Sequence, residues 1–394
     1  EDPTYWDGIS SADNDTNTSF FPNPFAYGSV SGTLPYDNGG SAILATFTLA
    51  KWSGPELEST APFSGATTAD VTSMAYSMVQ KGSLRYDSYA HLQNVYNYDE
   101  YTIGKQYYYT DASIIPKMKQ SILDHGAMSV SLFFDKTFLH PSANGHAYYQ
   151  TYYSGAQAVK NANHSVTIVG WDDNFSASNF SRTPAGNGAW LIANSYGTSS
   201  GDNGYFWLSY YDQSICDCSS FLVESAGNYD HIYQADLCGW VGQLGYGKES
   251  AFFANIYTAE EKEELEAVGF YATGENTSYQ VYTVTDAEGS SQFGRRRKVA
   301  SGEVANAGYY TVLLDKTVTL EAGERFAVIV EITTPGAIHP VAIEYSSSDK
   351  GLTVDLSDGE GYISYRGSSW ERVETEQNCN VCLKAYTRNV DSWN

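Results

Sequence analysis

Two stretches of the sequence decide the fold of its first half: NHSVTIVGWD at 163–172 and GAWLIANSYG at 188–197. Each contains a short apolar, β-branched run, which is typical of a buried strand. His164 stands at the head of the first run, and Asn194 follows the second. Histidine is the side chain best suited to move a proton near neutral pH, and an asparagine amide can hold an imidazole in one tautomer. The two runs therefore predict antiparallel neighbours, separated by a polar insertion at 173–186, that carry a candidate proton-transfer site.

Length and composition limit the classes of protein to consider. The chain has 394 residues, which suits two domains, and a formal net charge of −24, which opposes nucleic-acid binding. No apolar run reaches about 18 residues, so the sequence predicts no membrane span. The acidic, tyrosine-rich composition with few lysines favours a secreted or cell-surface protein. The start at Glu1, without Met or a signal peptide, suggests a processed product of a longer chain.

The pattern of elements changes near residue 226. Before it, helices are predicted at 41–52 and 112–126 and strands at 127–134, 164–171, 188–194 and 204–210, which indicates an α+β domain over 1–226. After it, short strands with Gly and Asn turns predict an all-β jelly-roll sandwich over 229–394, and the acidic run 259–266 is its one helical pattern. The basic run 295–298 is interpreted as a solvated hairpin loop in preference to a binding patch.

Five cysteines are present, an odd number: Cys216, Cys218, Cys238, Cys379 and Cys382. The last two form a CxxC pattern, but no second pair stands at zinc-ribbon spacing. For Cys379 and Cys382 we therefore favour a structural disulfide or two buried thiols over a metal site.

The segment Asn194-Ser195-Tyr196-Gly197, followed by Gly204-Tyr205, resembles the Asn-Ser-Trp-Gly motif of papain-like cysteine proteases and the strand after it. The resemblance covers roughly residues 1–225. It is closest to the bacterial surface-associated branch, in which a lectin-like β-domain follows the protease, and 229–394 resembles that second domain. The implied fold is a papain-like domain, incomplete at its N-terminus, followed by the sandwich.

The resemblance implies a role for each residue of the site. The oxygen of Asn194 would accept a hydrogen bond from the His164 imidazole, and the ring of Tyr196, in place of the family's Trp, would shield that bond from water. The pair Gly39-Gly40 would align the substrate backbone. Ala42 and Ser165, both small, would flank a roomy apolar pocket. No metal or organic cofactor is implied.

The nucleophile of that family is missing from the expected place. The family's Cys-Trp and its oxyanion glutamine precede the Gly-Gly strand, whereas here no cysteine precedes Gly39 and the first glutamine is Gln80. Cys216, Cys218 and Cys238 follow the histidine and do not fit the role.

Two interpretations remain. In the first, the chain is the larger part of a cysteine peptidase that acts on peptides or proteins, and a companion chain or removed N-terminal segment carries the cysteine. In the second, it is a noncatalytic surface adhesion or carbohydrate-binding protein that retains a relic cleft. The simultaneous presence of His164, Asn194 and Gly39-Gly40 favours the first. Carbohydrate remains a candidate ligand of the second domain in either case.

Overall fold

A computed structural model describes residues 4–5 (backbone only), 42–53, 55, 57, 88–98, 114–152, 162–346 and 353–390. The chain divides into two compact units, Val95–Leu222 on one side and Glu1–Asn94 with Val223–Asn394 on the other. This division differs from the sequence-based limits of 1–226 and 229–394 mainly in where it assigns the first 94 residues. Those domain limits stay a prediction.

In the unit Val95–Leu222, the described residues form one α-helix and a set of neighbouring strands. The helix α2 (Ile114–His125) ends where Gly126, at φ +89°, donates its N–H to Ile122 O, because a left-handed residue closes the last turn. The strands are β2 (Ala90–Asn97), β3 (Met128–Leu132), β4 (Leu139–Ser142), β5 (Gly145–Tyr148), β6 (His164–Asp172), β7 (Ala189–Ala193), β8 (Tyr205–Ser209) and β9 (Cys216–Ser225). Strands β2 and β9 contribute residues to both units.

The strand order within this unit is β9-β3-β6-β7-β8-β5-β4. The pair β5–β8 is parallel, and the other neighbours are antiparallel. Side chains on a strand point to opposite faces, so alternate residues of β3 and of β6 share the face that packs into the apolar core. The core on that face includes Met128, Val130, Leu132, Val166 and Ile168. The register that buries this face also sets the position of His164, which pairs with Leu132.

Among its described residues, the larger unit contains the short helices α1 (Ala42–Ala50) and α3 (Val373–Glu376), a 3₁₀ turn at Ser290–Arg295 and a large number of strands. Its strands are β1 (Thr4–Tyr5), β10 (His231–Tyr233), β11 (Gly242–Leu244), β12 (Ser250–Thr258), β13 (Glu263–Ala272), β14 (Thr277–Thr285), β15 (Arg297–Val304), β16 (Ala307–Leu320), β17 (Arg325–Thr333), β18 (Val341–Tyr345), β19 (Gly361–Ser364), β20 (Glu371–Arg372), β21 (Cys379–Val381) and β22 (Leu383–Asn389).

Three groups of neighbouring strands form this unit. Their orders are β15-β14-β17-β12-β19-β20, β1-β11-β18-β21 and β10-β22-β13-β16. One face of the first group is buried against an apolar core. This core includes the aromatic and β-branched side chains of Phe252, Phe293, Ile329 and Tyr362. The predicted fold class, an α+β part followed by an all-β part, is confirmed.

The helical pattern predicted at 259–266 is wrong, because β13 begins at Glu263. The side chain of Glu263 points into the protein, where it accepts hydrogen bonds from the hydroxyls of Tyr233 and Thr387. Pairing of β13 with both β16 and β22 holds this acidic segment extended. Tertiary contacts thus override a local helical preference. Among the described residues, no helix has the length and apolar character needed to cross a membrane.

Candidate active site

His164 begins β6, and its ring is held by the end of the neighbouring strand. Asn194 follows β7 directly, and its backbone N–H donates to Gly204 O over 2.9 Å, which fixes the turn. The Asn194 Oδ1 atom lies 2.9 Å from His164 Nε2. The structure therefore brings together the two side chains that the sequence singled out.

The hydrogen bonds around Asn194 define the tautomer of the histidine. The backbone N–H of Ser195 donates to Asn194 Oδ1 over 2.9 Å, so the atom facing the histidine is an acceptor. His164 Nε2 must then carry the proton of this bond. This leaves Nδ1 as the ring atom able to exchange a proton with a reacting group.

Two aromatic rings flank the His164 imidazole. Tyr196 stacks on it, with centroids 4.8 Å apart and planes at 23°, although 53% of Tyr196 remains exposed. Phe134 lies 5.3 Å from the imidazole and 5.9 Å from the Tyr196 ring. Rings at these positions would keep water from parts of the imidazole and its bond to Asn194, and a hydrogen bond is stronger in such surroundings. The expected place of Tyr196 is thus observed, while its shielding role stays a prediction.

The segment that carries Phe134 is held by two side chains instead of a neighbouring strand. The amide of Asn163 accepts from Phe134 N (2.8 Å) and donates to Phe134 O (3.1 Å). The Tyr148 hydroxyl donates to Phe133 O (2.7 Å) and accepts from Asp135 N (3.1 Å). The sequence alone indicated no role for Asn163. Its position directly before the histidine was the available indication.

Ser165 follows His164 on β6 and lies opposite Ser131 on β3. Their hydroxyl oxygens are 3.1 Å apart, and Ser165 is exposed whereas Ser131 is buried. This hydroxyl pair gives the strand surface beside the histidine a polar character, which the apolar pocket predicted there did not anticipate. Whether Ser165 contacts substrate stays a prediction.

The other residues predicted to bind substrate are Gly39, Gly40 and Ala42. Gly39 and Gly40 fall outside the described residues. Ala42 is the first residue of α1, in the other compact unit, and its carbonyl accepts from the Thr46 hydroxyl over 2.9 Å. The alignment of substrate by these residues stays a prediction.

All five cysteines are buried thiols. Cys216 lies opposite Ser131 on β3, and Ser131 lies opposite Ser165 on β6, so a whole strand separates Cys216 from the strand of His164. Two strand spacings amount to roughly 10 Å. Cys218 is part of the apolar core of this unit.

The chemistry of the other thiols also disfavours a nucleophile. Burial raises the pKa of Cys379 and of Cys382, and nearby carboxylates add to this effect. A cysteine nucleophile requires the opposite, a pKa lowered towards neutrality. Within the described ranges, no group of three or more His, Cys, Asp or Glu side chains could hold a metal ion.

A buried carboxylate supports the loop that follows β8. Asp212 accepts hydrogen bonds from Gln150 N (3.0 Å), Ser214 N (2.8 Å) and the Ser214 hydroxyl (2.5 Å). Burial raises the pKa of Asp212 to about 6, although these hydrogen bonds act in the other direction. Sequence reasoning missed this residue. The Asp-x-Ser spacing, typical of a turn in which a carboxylate accepts from the backbone two residues on, was the only indication.

Comparison with known families follows the two parts of the chain. A model described as papain family cysteine protease matches residues 38–225, and one described as lectin like domain matches residues 232–387. The chain carries a papain-family cysteine protease domain and a lectin-like domain. A comparison with curated proteins found no significant match.

Two of the solved structures with significant similarity match this chain over most of its length. One is the clostridial cysteine protease Cwp84, in a cysteine-to-alanine form after propeptide cleavage: 23% identity, TM-score 0.69, covering 89% of this chain and 83% of that one. The other contains the cysteine protease and lectin-like domains of Cwp84, described as a surface layer associated protein of Clostridium difficile: 24% identity, TM-score 0.67, covering 88% and 73%. At these identities the likeness shows the fold.

Proposed function

We propose that this chain is part of a cysteine peptidase in which His164 and Asn194 complete a Cys-His-Asn triad. The observation that carries the proposal is the 2.9 Å contact between His164 Nε2 and Asn194 Oδ1, with the Tyr196 ring stacked on the imidazole. An imidazole fixed at one nitrogen by a neutral amide, with the other nitrogen available, is suited to pairing with a thiolate.

The reaction follows from that arrangement. A cysteine thiolate, paired with the protonated His164, attacks the carbonyl carbon of a peptide bond. His164 Nδ1 gives its proton to the departing amine as the C–N bond breaks, which leaves a thioester. His164 then takes a proton from water, which attacks the thioester; the C–S bond breaks, the acid product leaves, and the released thiolate beside protonated His164 restores the starting state. Asn194 keeps the ring in place throughout.

In this proposal the nucleophile comes from outside these 394 residues, and the burial of each of the five cysteines supports that assignment. In this proposal, a companion chain or a removed N-terminal segment supplies it. The protein would act on peptides or proteins outside the cell or at the cell surface. Two facts support that place: the similarity to Cwp84, which is described as a surface layer associated protein, and the acidic composition.

The proposal is tested by assembling the chain with its cysteine-bearing segment and measuring hydrolysis of peptide substrates. His164→Ala is expected to lower kcat by about 10²-fold or more, since proton transfer by a positioned side chain contributes on that scale. Asn194→Ala is expected to lower kcat by about tenfold, the equivalent of one hydrogen bond. Ser195→Ala is the matched control, because Ser195 contacts Asn194 through its backbone N–H.

The burial of every thiol also favours the second candidate, a noncatalytic surface adhesion or carbohydrate-binding protein. The two candidates differ in one result. An adhesion protein shows no peptidase activity in any assembled form, and its His164→Ala variant binds its ligand as the unaltered protein does. Loss of hydrolysis in His164→Ala with ligand binding intact supports the peptidase.

A further inference from the structure

The basic run at 295–298 lies on the edge of a sheet in a strongly acidic protein. A 3₁₀ turn (Ser290–Arg295) leads into β15, which is the outermost strand of the order β15-β14-β17-β12-β19-β20. Arg295, Arg297 and Lys298 are exposed. With 46 acidic and 22 basic residues in the chain, three exposed cations within four positions depart from the general composition.

Arg296, between these cations, is a fixed structural anchor. Its guanidinium lies over the rings of Phe252 and Tyr282, 5.4 Å from each centroid. Its Nη1 donates to Phe293 O (3.2 Å) and to Gly367 O (3.0 Å). Arg296 therefore holds the loop around Gly367 against the basic turn. That loop brings a further exposed cation, Arg366, and an exposed aromatic ring to the same region.

The exposed cations of this region have no acidic partners of their own. Among the described residues, no ion pair involves Arg295, Arg297, Lys298 or Arg366, whereas other cations are matched. Lys119, Lys262, Arg325, Lys384 and Arg388, for example, each pair with a carboxylate.

The acidic residues of the same region are Asp286, Glu288, Glu360 and Glu371, and among the described residues none of them forms an ion pair with the four exposed cations. Arg295 donates to the backbone oxygen of Asp286, and Glu288 faces Arg325 at 3.8 Å. Exposed Glu371 begins β20. Arg325 also forms an ion pair with Glu360, with its Nη2 2.6 Å from Glu360 Oε2. The four exposed cations are thus available to an anionic ligand.

An aromatic ring completes the surface. Tyr365 is 40% exposed, lies 5.8 Å from the Tyr246 ring, and has the Arg366 guanidinium 5.3 Å from its centroid. A flat exposed ring offers a stacking face to the C–H side of a sugar, and guanidinium groups match carboxylate and phosphate in geometry. A ligand that uses both features is a sugar that carries an anionic group.

Arg297 and Lys298 are successive residues of β15 and point to opposite faces of the sheet, but β15 is an edge strand, so both flank the same open edge. We propose that this edge, formed by Arg295, Arg297 and Lys298 together with Tyr365 and Arg366, binds an acidic polysaccharide, with phosphate or uronate groups on the cations and a sugar ring on Tyr365. The net charge of −24 does not prevent this, because charges further away than about 8 Å are largely screened at physiological ionic strength. The proposal does not depend on peptidase activity. It replaces the earlier interpretation of 295–298 as a merely solvated loop.

Binding of the full chain is measured by calorimetry against polygalacturonate, poly(glycerol phosphate) and neutral dextran. We expect binding to one or both anionic polymers, weakening as salt rises, and none to dextran. The polymer that binds distinguishes uronate from phosphate. The combined variant Arg295→Gln, Arg297→Gln and Lys298→Gln is expected to bind at least roughly tenfold more weakly, since charge-assisted contacts are lost.

The control variant removes three exposed cations elsewhere: Lys136→Gln, Lys262→Gln and Lys316→Gln. It changes net charge equally and should bind normally. Tyr365→Ala should weaken binding, and Tyr365→Phe should preserve it, because stacking needs the ring and not the hydroxyl. Unchanged thermal melting shows that each variant is folded. Equal loss in both triple variants, dextran binding as strong as that of the polyanions, or binding only to DNA or anionic lipid vesicles would overturn the proposal.

Discussion

Asn163 holds Phe134 at both of its backbone hydrogen-bonding atoms, with Oδ1 2.8 Å from Phe134 N and Nδ2 3.1 Å from Phe134 O. Just beyond the end of β3, the amide of one side chain thereby makes the two backbone hydrogen bonds that a neighbouring strand would otherwise make. Because the Phe134 ring contacts the rings of His164 and Tyr196, the fixed backbone also fixes one wall of the candidate site.

The first prediction concerns this contact. Asn163→Ala removes both hydrogen bonds and should lower the free energy of unfolding by about 1–2 kcal/mol, measured by urea denaturation. Asn163→Asp keeps the acceptor for Phe134 N, so its free energy of unfolding should lie between those of Asn163→Ala and the unaltered protein. Asn174→Ala, at an exposed asparagine of the same unit, is the control. Equal stability of the Asn163→Ala and Asn174→Ala proteins would contradict the prediction.

A second prediction tests the ring stacked on His164. In the assembled peptidase, Tyr196→Ala should lower kcat/KM by about three- to tenfold, which corresponds to the loss of one aromatic contact and of its cover over the imidazole. Tyr196→Phe keeps the ring and should retain activity. The control is Tyr205→Ala, at a comparably exposed tyrosine on β8. If Tyr196→Phe is as impaired as Tyr196→Ala, the hydroxyl matters and shielding is not the explanation.

The third prediction follows from the pKa of Asp212, raised by burial from 3.8 to about 6. The folded state binds this proton more tightly than the unfolded state. Its contribution to stability is therefore fully present below pH 4 and is lost as pH rises to about 6, by about 3 kcal/mol at most. Asp212→Asn removes the titrating group, so the change in unfolding free energy between pH 4.5 and 7 should differ from that of the unaltered protein by about 2 kcal/mol, the part of the total that falls in this pH range.

The measurement is urea denaturation at a series of pH values, and the comparison uses the slope rather than absolute stability. Absolute stability is also affected because the asparagine NH₂ would face the N–H of Gln150. Identical pH slopes in the two proteins would show that Asp212 does not titrate in this range.

A fourth prediction concerns a buried ion pair in the larger unit. Lys384 Nζ lies 2.7 Å from Asp236 Oδ1, and both side chains are almost completely buried. Lys384→Met leaves the carboxylate without its cation and should cost about 3–5 kcal/mol of unfolding free energy. Adding Asp236→Leu should recover part of the loss.

Lys262→Met is the matched control for this pair, because its partner Glu321 and Lys262 itself are exposed. That substitution should change stability by less than about 1 kcal/mol, since exposed ion pairs contribute little. Thermal or chemical denaturation of the three variants separates the two cases. A Lys384→Met protein as stable as the Lys262→Met protein would refute the prediction.

The sequence predicted the strands on both sides of the site because their apolar runs are short and end at turn residues. The strands expected at 164–171 and 188–194 are observed as His164–Asp172 and Ala189–Ala193. The expected neighbours are paired antiparallel, which places Asn194 beside His164. Local pattern was sufficient here because one face of each strand is buried and fixes the register.

Other features depended on contacts between distant parts of the chain and could not be predicted. The strand at Glu263 is explained by Tyr233 and Thr387, which lie 30 and 124 residues away. Phe134 became part of the site through Asn163 and Tyr148, whose side chains replace backbone partners. No periodicity in the sequence reports such side-chain contacts.

The burial of all five thiols makes the folded chain a poor target for alkylating reagents. Thiolates react and buried thiols do not, so iodoacetamide should label these cysteines only after unfolding. In an assembled peptidase, a single rapidly alkylated sulfur would then come from the nucleophile. Its stoichiometry would count functional sites directly and reveal on which polypeptide the reactive cysteine resides, without any substitution in the protein.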